Sequence, residues 1–117
     1  MIYEIALLPI LDEHVGKFRL EFAKVAPLLS SAKGHRGHVL TQGVETPQHF
    51  SLIMQWQSLE DHTPGFEMSE DHGKFMLGLQ EFFSAEPTVH HFEGPVFPAE
   101  NLAPKRSQTP AARKGGP

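Results

Sequence analysis

Apolar and polar positions along the first ninety or so residues repeat with periods that assign the elements in order. Residues 2–10, Ile-Tyr-Glu-Ile-Ala-Leu-Leu-Pro-Ile, are β-branched and aliphatic and predict a first strand ended by Pro9. Asp12 or Glu13 then opens a helix. On it Val15, Phe18, Phe22, Val25 and Leu29 recur every three or four residues as one apolar stripe. Pro27 falls near the end of that helix, where it is expected to weaken or terminate it. Ser30 to Gly37 reads as a polar loop and His38 to Val44 as a second strand. After a tight turn at Glu45–Gln48, His49 to Gln57 returns as a third strand in a hairpin. On this strand Phe50, Leu52, Met54 and Trp56 share a face. Ser58 caps a helical turn that runs to Asp61. Ser69-Glu-Asp71 starts a longer helix with an apolar stripe of Phe75, Leu79, Phe82 and Phe83, joined by Met76. Glu86-Pro87 closes it, and Thr88 to Phe92 is the fourth strand.

The order strand, helix, strand, strand, helix, strand predicts an α+β, ferredoxin-like β-α-β-β-α-β fold. In it a four-stranded antiparallel sheet carries two helices on one face. The opposite face also needs cover, and in a chain of 117 residues a second copy is the expected cover, which predicts a homodimer. That length supports a single domain. The domain is expected over residues 1–97. Residues 98–117 contain Pro98, Pro104, Pro110, Pro117, Gly115 and Gly116, with Leu102 as the one large aliphatic residue, and read as a flexible basic extension.

Charge sharpens this division. Residues 1–97 hold six Lys/Arg against thirteen Asp/Glu, a net −7, whereas 98–117 hold four against one, a net +3. An acidic body argues against nucleic acid as partner. The absence of cysteine removes disulfides, thiolate–metal sites and cysteine nucleophiles. No run of eighteen apolar residues predicts a membrane span, and no secretory signal is visible, so a cytoplasmic protein is expected.

Candidate chemistry rests on eight histidines: His14, His35, His38, His49, His62, His72, His90 and His91. His14, His35 and His49 fall at loops or element ends and are expected to be solvated, and so is His38 at the start of its strand. His62 and His72 flank the second helical region. His90 and His91 are neighbours on the last strand and must point to opposite faces of the sheet, so one of them meets the helix layer. An imidazole beside a cavity there can act as acid, base or donor near neutral pH. The spacings include no H-x-H, H-x-x-x-H or H-E-x-x-H, so no metal is expected. Trp56 is the single tryptophan. It reads both as core and as an aromatic wall for a flat organic molecule, with its indole N–H as a donor. Phe66, before the long helix, edges the opening. The glycines form no phosphate loop, no G-x-S-x-G elbow occurs, and Glu60-Asp61 and Glu70-Asp71 sit at helix starts, where negative charge is favourable.

The strand ending in Trp56, then Ser58-Leu-Glu-Asp-His62, Gly65-Phe66, Ser69, His72 and Phe75, then Val89-His-His-Phe92, resembles the antibiotic biosynthesis monooxygenase-type domain over residues 1–97. The resemblance implies a dimeric α/β barrel made from two ferredoxin-like subunits. Each subunit would hold a small aromatic or polyketide-like molecule between sheet and helices. Some relatives oxidise anthrone-type phenols with molecular oxygen and need no metal or flavin, because the deprotonated substrate itself reduces oxygen. Trp56 matches their pocket tryptophan, and His62 falls about where they carry a polar tyrosine. Four residues before the tryptophan those oxygenases have asparagine; this chain has Leu52, which is expected to line the pocket. Haem-degrading relatives need an asparagine on the first strand, which is absent here, and a histidine on the second helix, which His72 loosely matches. The implied assignment is His62 and His72 as catalytic groups, with Trp56, Phe66, Leu52 and His90 or His91 around the substrate and no cofactor. The alternatives are a polyketide cyclase or isomerase, and a non-catalytic ligand-binding or stress-responsive dimer.

Overall fold

The computed structural model describes residues 1–98 and 100. The expected basic extension therefore lies, apart from Pro98 and Glu100, outside the described residues. Six main elements follow in chain order: β1 (Ile2–Pro9), α1 (Val15–Ser30), β2 (His35–Gln42), β3 (His49–Trp56), α2 (Glu70–Leu79) and β4 (Thr88–Glu93). The strands form one sheet in the order β2-β3-β1-β4, and all neighbours are antiparallel. This is the ferredoxin-like α+β fold that the element order predicts. Among the described residues no helix is long and apolar enough to cross a membrane.

Alternation along the strands separates the two faces. Ala6 and Leu8 of β1, with Phe50, Leu52, Met54 and Trp56 of β3, point toward the helices and are buried. They meet Phe18, Phe22 and Leu29 of α1 and Phe75 and Leu79 of α2 in one continuous core. At its centre the rings of Phe18 and Phe50 stand edge to face, 4.9 Å apart. The opposite face is open, with Leu7, Val39 and Phe92 about half exposed.

Several boundaries differ from the sequence reading, each for a local reason. Asp12–His14 forms a tight 3₁₀ turn, so α1 proper begins at Val15. Pro27 does not stop α1. Its ring removes one N–H donor, but its carbonyl still accepts from Ser31 N–H, and Leu29 in the last turn is fully buried. β2 starts three residues early, at His35, and ends at Gln42. Gly34, at φ +81°, completes the reversal after α1, and a bulge between His35 and Gly37 keeps the strand in register with β3. Ser58 and Ser69 both cap as expected: the hydroxyl of Ser58 accepts from Asp61 N–H at 3.2 Å, and that of Ser69 from His72 N–H at 3.1 Å. Between these caps the chain kinks at Thr63, whose backbone is extended at φ −131° and ψ 112°, and closes a wide π-type turn in which Glu67 N–H donates to the His62 carbonyl five residues back.

Two glycines give opposite predictions. A Cβ on Gly34 would collide with the Asp61 carboxylate in a left-handed backbone, whereas one on Gly73, inside α2, would meet nothing within 4 Å. Gly34→Ala is expected to destabilise by about 1–3 kcal/mol. Gly73→Ala should stabilise by roughly 0.5–1 kcal/mol, since Ala is the better helix former. Urea denaturation of both variants checks the pair of signs.

Candidate active site

Between the sheet and the helices lies a cavity of about 290 Å³. Leu52, Phe75 and Leu79 form its apolar walls, and Glu4, His62, Glu67 and His72 gather on its polar side. Glu86 lines the end near Phe83 and Pro87, so the cavity is largely apolar with a carboxylate at that end as well.

Glu4 sets the polar side. β1 alternation places it on the inward face beside Ala6, opposite Met54 of β3 and His91 of β4. It is only 3 % exposed. Trp56 Nε1–H donates to Glu4 Oε1 at 2.8 Å, and His62 Nε2 lies 3.3 Å from the same oxygen. His62, carried in by the π-type turn, stacks on Trp56 with centroids 5.2 Å apart and 24° between the planes. Its other nitrogen, Nδ1, is 2.7 Å from Nε2 of His91. Phe66 packs on Trp56 on one side and meets His72 edge-on at 5.4 Å on the other.

Burial raises the Glu4 carboxyl to about 7; the Trp56 N–H works against that rise and the Glu67 charge adds to it. Burial lowers His62 to about 4, helped by His91 and His72 and opposed by Glu67. Glu4 and His62 are therefore not an ion pair at neutral pH. Two charges so enclosed would lose more hydration than their attraction returns, so His62 stays neutral and the Glu4 proton is the mobile one.

The structure places the sequence candidates unequally. His62, His72, Phe66 and Leu52 line the cavity. Trp56 does not: it is fully buried behind His62 and Phe66, and its indole N–H is spent on Glu4 instead of facing a ligand. His90 lies opposite Ile5 and points to the outer face, away from the cavity, because residues next to each other on a strand alternate. His91 is the inward partner and joins His62. His35 is not simply solvated: its Nε2 lies 3.0 Å from His38 Nδ1, and its ring stands at 90° to Trp56. Burial and His38 lower its pKa. Sequence reasoning missed Glu4. Its signal was available, an acidic residue at an inward position of an otherwise apolar strand. Among the described residues no group of three or more His, Asp or Glu side chains is placed to hold a metal ion.

Fold and cavity together define a small α+β protein with a largely apolar cavity between sheet and helices. The sequence profile of the antibiotic biosynthesis monooxygenase family matches residues 1–76. YczJ of Bacillus subtilis, a protein without a characterised function, is 34 % identical over 93 residues, covering 80 % of this chain and 98 % of its own. The chain belongs to the antibiotic biosynthesis monooxygenase family. A Bordetella bronchiseptica structure assigned to the same family superposes with a TM-score of 0.77 at 28 % identity, over 81 % of this chain and 97 % of that one. SnoaB of Streptomyces nogalater, a cofactor-independent oxygenase, shares the fold with a TM-score of 0.71 at 12 % identity, over 85 % of this chain and 97 % of its own.

The opposed shifts predict a pH signature. Glu4 is raised from 4.5 to about 7, so its contribution to stability is complete below pH 4.5 and is lost as pH rises through about 7. His62 is lowered from 6.5 to about 4, so its contribution is complete above pH 6.5 and is lost as pH falls through about 4. In the parent protein these slopes nearly cancel between. Glu4→Gln removes only the first, so the variant should gain stability relative to the parent as pH climbs from 4.5 to 7. Urea midpoints of the two proteins should diverge over that range; parallel curves would mean that the folded protein does not hold Glu4 protonated.

Proposed function

We propose that this protein is an enzyme that takes a proton from a small aromatic or polyketide-like substrate and lets the resulting anion react with molecular oxygen, with neither metal nor flavin. The observation that carries this reading is the buried carboxyl–imidazole pair, Glu4 and His62, at the edge of a largely apolar cavity. Such a site binds a flat apolar body, keeps water from it, and offers a proton acceptor tuned near neutrality. In the overall reaction a methylene and O₂ become a carbonyl and water. The substrate supplies the electrons, and the proton taken at the start returns to the departing oxygen. His72 offers a further polar contact, and Leu52 and Phe66 shape the wall. Leu52, where the oxygenases of this family carry asparagine, makes this pocket less polar on the β3 side.

We also infer that a second copy covers the open sheet face, where Leu7, Val39 and Phe92 would otherwise remain half exposed. Sedimentation at micromolar concentration should show a dimer.

The test uses 1,8-dihydroxyanthrone as probe substrate, followed by oxygen uptake. The wild type should consume about one O₂ per anthrone oxidised, and His62→Ala, which breaks the carboxyl–imidazole pair, should lower the rate. Turnover of a polyketide-like probe without oxygen uptake would favour the cyclase or isomerase, and binding without turnover the ligand-binding dimer.

A further inference from the structure

We propose that Glu4, not His62, is the group that takes the substrate proton, through its oxygen Oε2, and that Trp56, His62 and His91 are positioning residues that hold Glu4 for this role. This deepens the proton-abstraction reading above and rests on it.

The geometry is directional. Trp56 Nε1 and His62 Nε2 both approach one carboxyl oxygen, Oε1, at 2.8 and 3.3 Å. Among the described residues Oε2 has no protein hydrogen-bond partner, yet Glu4 is 3 % exposed and lines the cavity. A buried carboxyl oxygen without a partner is costly unless something else satisfies it, and the cavity is the open side. A ligand that presents an acidic C–H or O–H there would complete the set. The class this selects is a weak carbon or oxygen acid attached to an apolar, flat body.

His91 enters through His62. Its Nε2 lies 2.7 Å from His62 Nδ1, so one of the two must donate. If His91 donates, His62 is held with its proton on Nε2, aimed at Glu4. The donors then point inward in sequence, from His91 to His62 to Oε1, while Trp56 donates from the other side. This arrangement stabilises the carboxylate through one oxygen and leaves the other free to act. The second imidazole thus fixes the tautomer of the first, as an orienting partner does in other acid–base sites. The groups that face Glu4 are His62 from the π-type turn, Trp56 from β3, His91 from β4, Glu67 from the loop before α2, and His72 from α2. Glu4 is the stronger base of the buried pair, since burial pushes the carboxyl up and the imidazole down.

In the step itself the substrate C–H bond breaks, an O–H bond forms at Oε2, and the electron pair stays on the substrate. Without oxygen the step simply reverses, so it can be observed by isotope exchange. In anaerobic D₂O, the wild type should exchange the methylene hydrogens of 1,8-dihydroxyanthrone well above the buffer rate, read by ¹H NMR. Glu4→Gln should bring exchange down by roughly 10²-fold or more, to near the buffer rate. The Gln oxygen still accepts from Trp56, so unchanged indole fluorescence reports an intact fold. Exchange that survives in Glu4→Gln, or that never occurs in the wild type, overturns the role of Glu4. Exchange without oxygen uptake under air overturns the oxygenase reading instead and leaves this one standing.

The positioning claim has its own readout. The ¹⁵N shifts of His62 should show a neutral ring protonated on Nε2 above pH 7.5. In His91→Phe, which keeps a ring at this position but no donor, both tautomers should appear, and the ¹³C titration midpoint of Glu4 should rise because its anion loses a fixed donor. A His62 ring protonated on Nδ1 in the wild type, or a His91→Phe variant with both signals unchanged, would remove His91 from the role.

Discussion

A carboxyl group set inside an apolar layer constrains everything packed around it. Glu4 lies on the inward face of β1, between residues whose neighbours are aliphatic and aromatic, and its charge has almost no access to water. Such a group must be hydrogen-bonded or neutral. Here it is held by the indole N–H of Trp56, and that single bond explains why the one tryptophan sits at the very end of β3, opposite the start of β1. With the indole committed to Glu4, its face is free to support the imidazole of His62, and the imidazole in turn lies against His91. Glu4, Trp56, His62 and His91 are thus a connected set that runs from the buried carboxyl out to the exposed imidazole of His91.

Its placement depends on fold-level geometry. β1 is central in the sheet, flanked by β3 on one side and β4 on the other. A residue at the inward position of β1 can therefore meet side chains from both flanking strands and from the segment above. Glu4 meets Trp56 from β3 and His62 from the turn that leads to α2, while His91, its register partner on β4, is linked to it through His62. The π-type turn matters because it brings the His62 ring down onto Trp56, leaving the α2 stripe of Phe75 and Leu79 to close the apolar end of the cavity.

Most of the architecture was legible in the sequence because periodicity reports burial directly. The stripe through Phe18, Phe22 and Leu29, the shared face of Leu52 and Trp56, and the caps at Ser58 and Ser69 follow from spacing and residue type alone. Boundaries were less legible. The early start of β2 depends on a positive φ at Gly34 and a bulge, and the survival of α1 past Pro27 depends on the burial of Leu29. Neither can be read from a window of neighbours. At the site, His62, His72 and Phe66 were visible as candidates because they cluster just before and in the first turn of α2. Glu4 was not, since one acidic residue in an apolar strand is easily read as a surface exception.

The sequence by itself determined the order of elements, the faces they bury, and the presence of imidazoles near a tryptophan, because each of these is set by local spacing. Only the tertiary structure decided which imidazole meets which carboxyl. Strand pairing sends His90 out and His91 in, turns Trp56 from a pocket wall into a donor, and makes Glu4 the centre of the site. Those outcomes depend on contacts between residues far apart in the chain, and hydrogen bonding in a low-dielectric interior is settled by distance and direction between such residues.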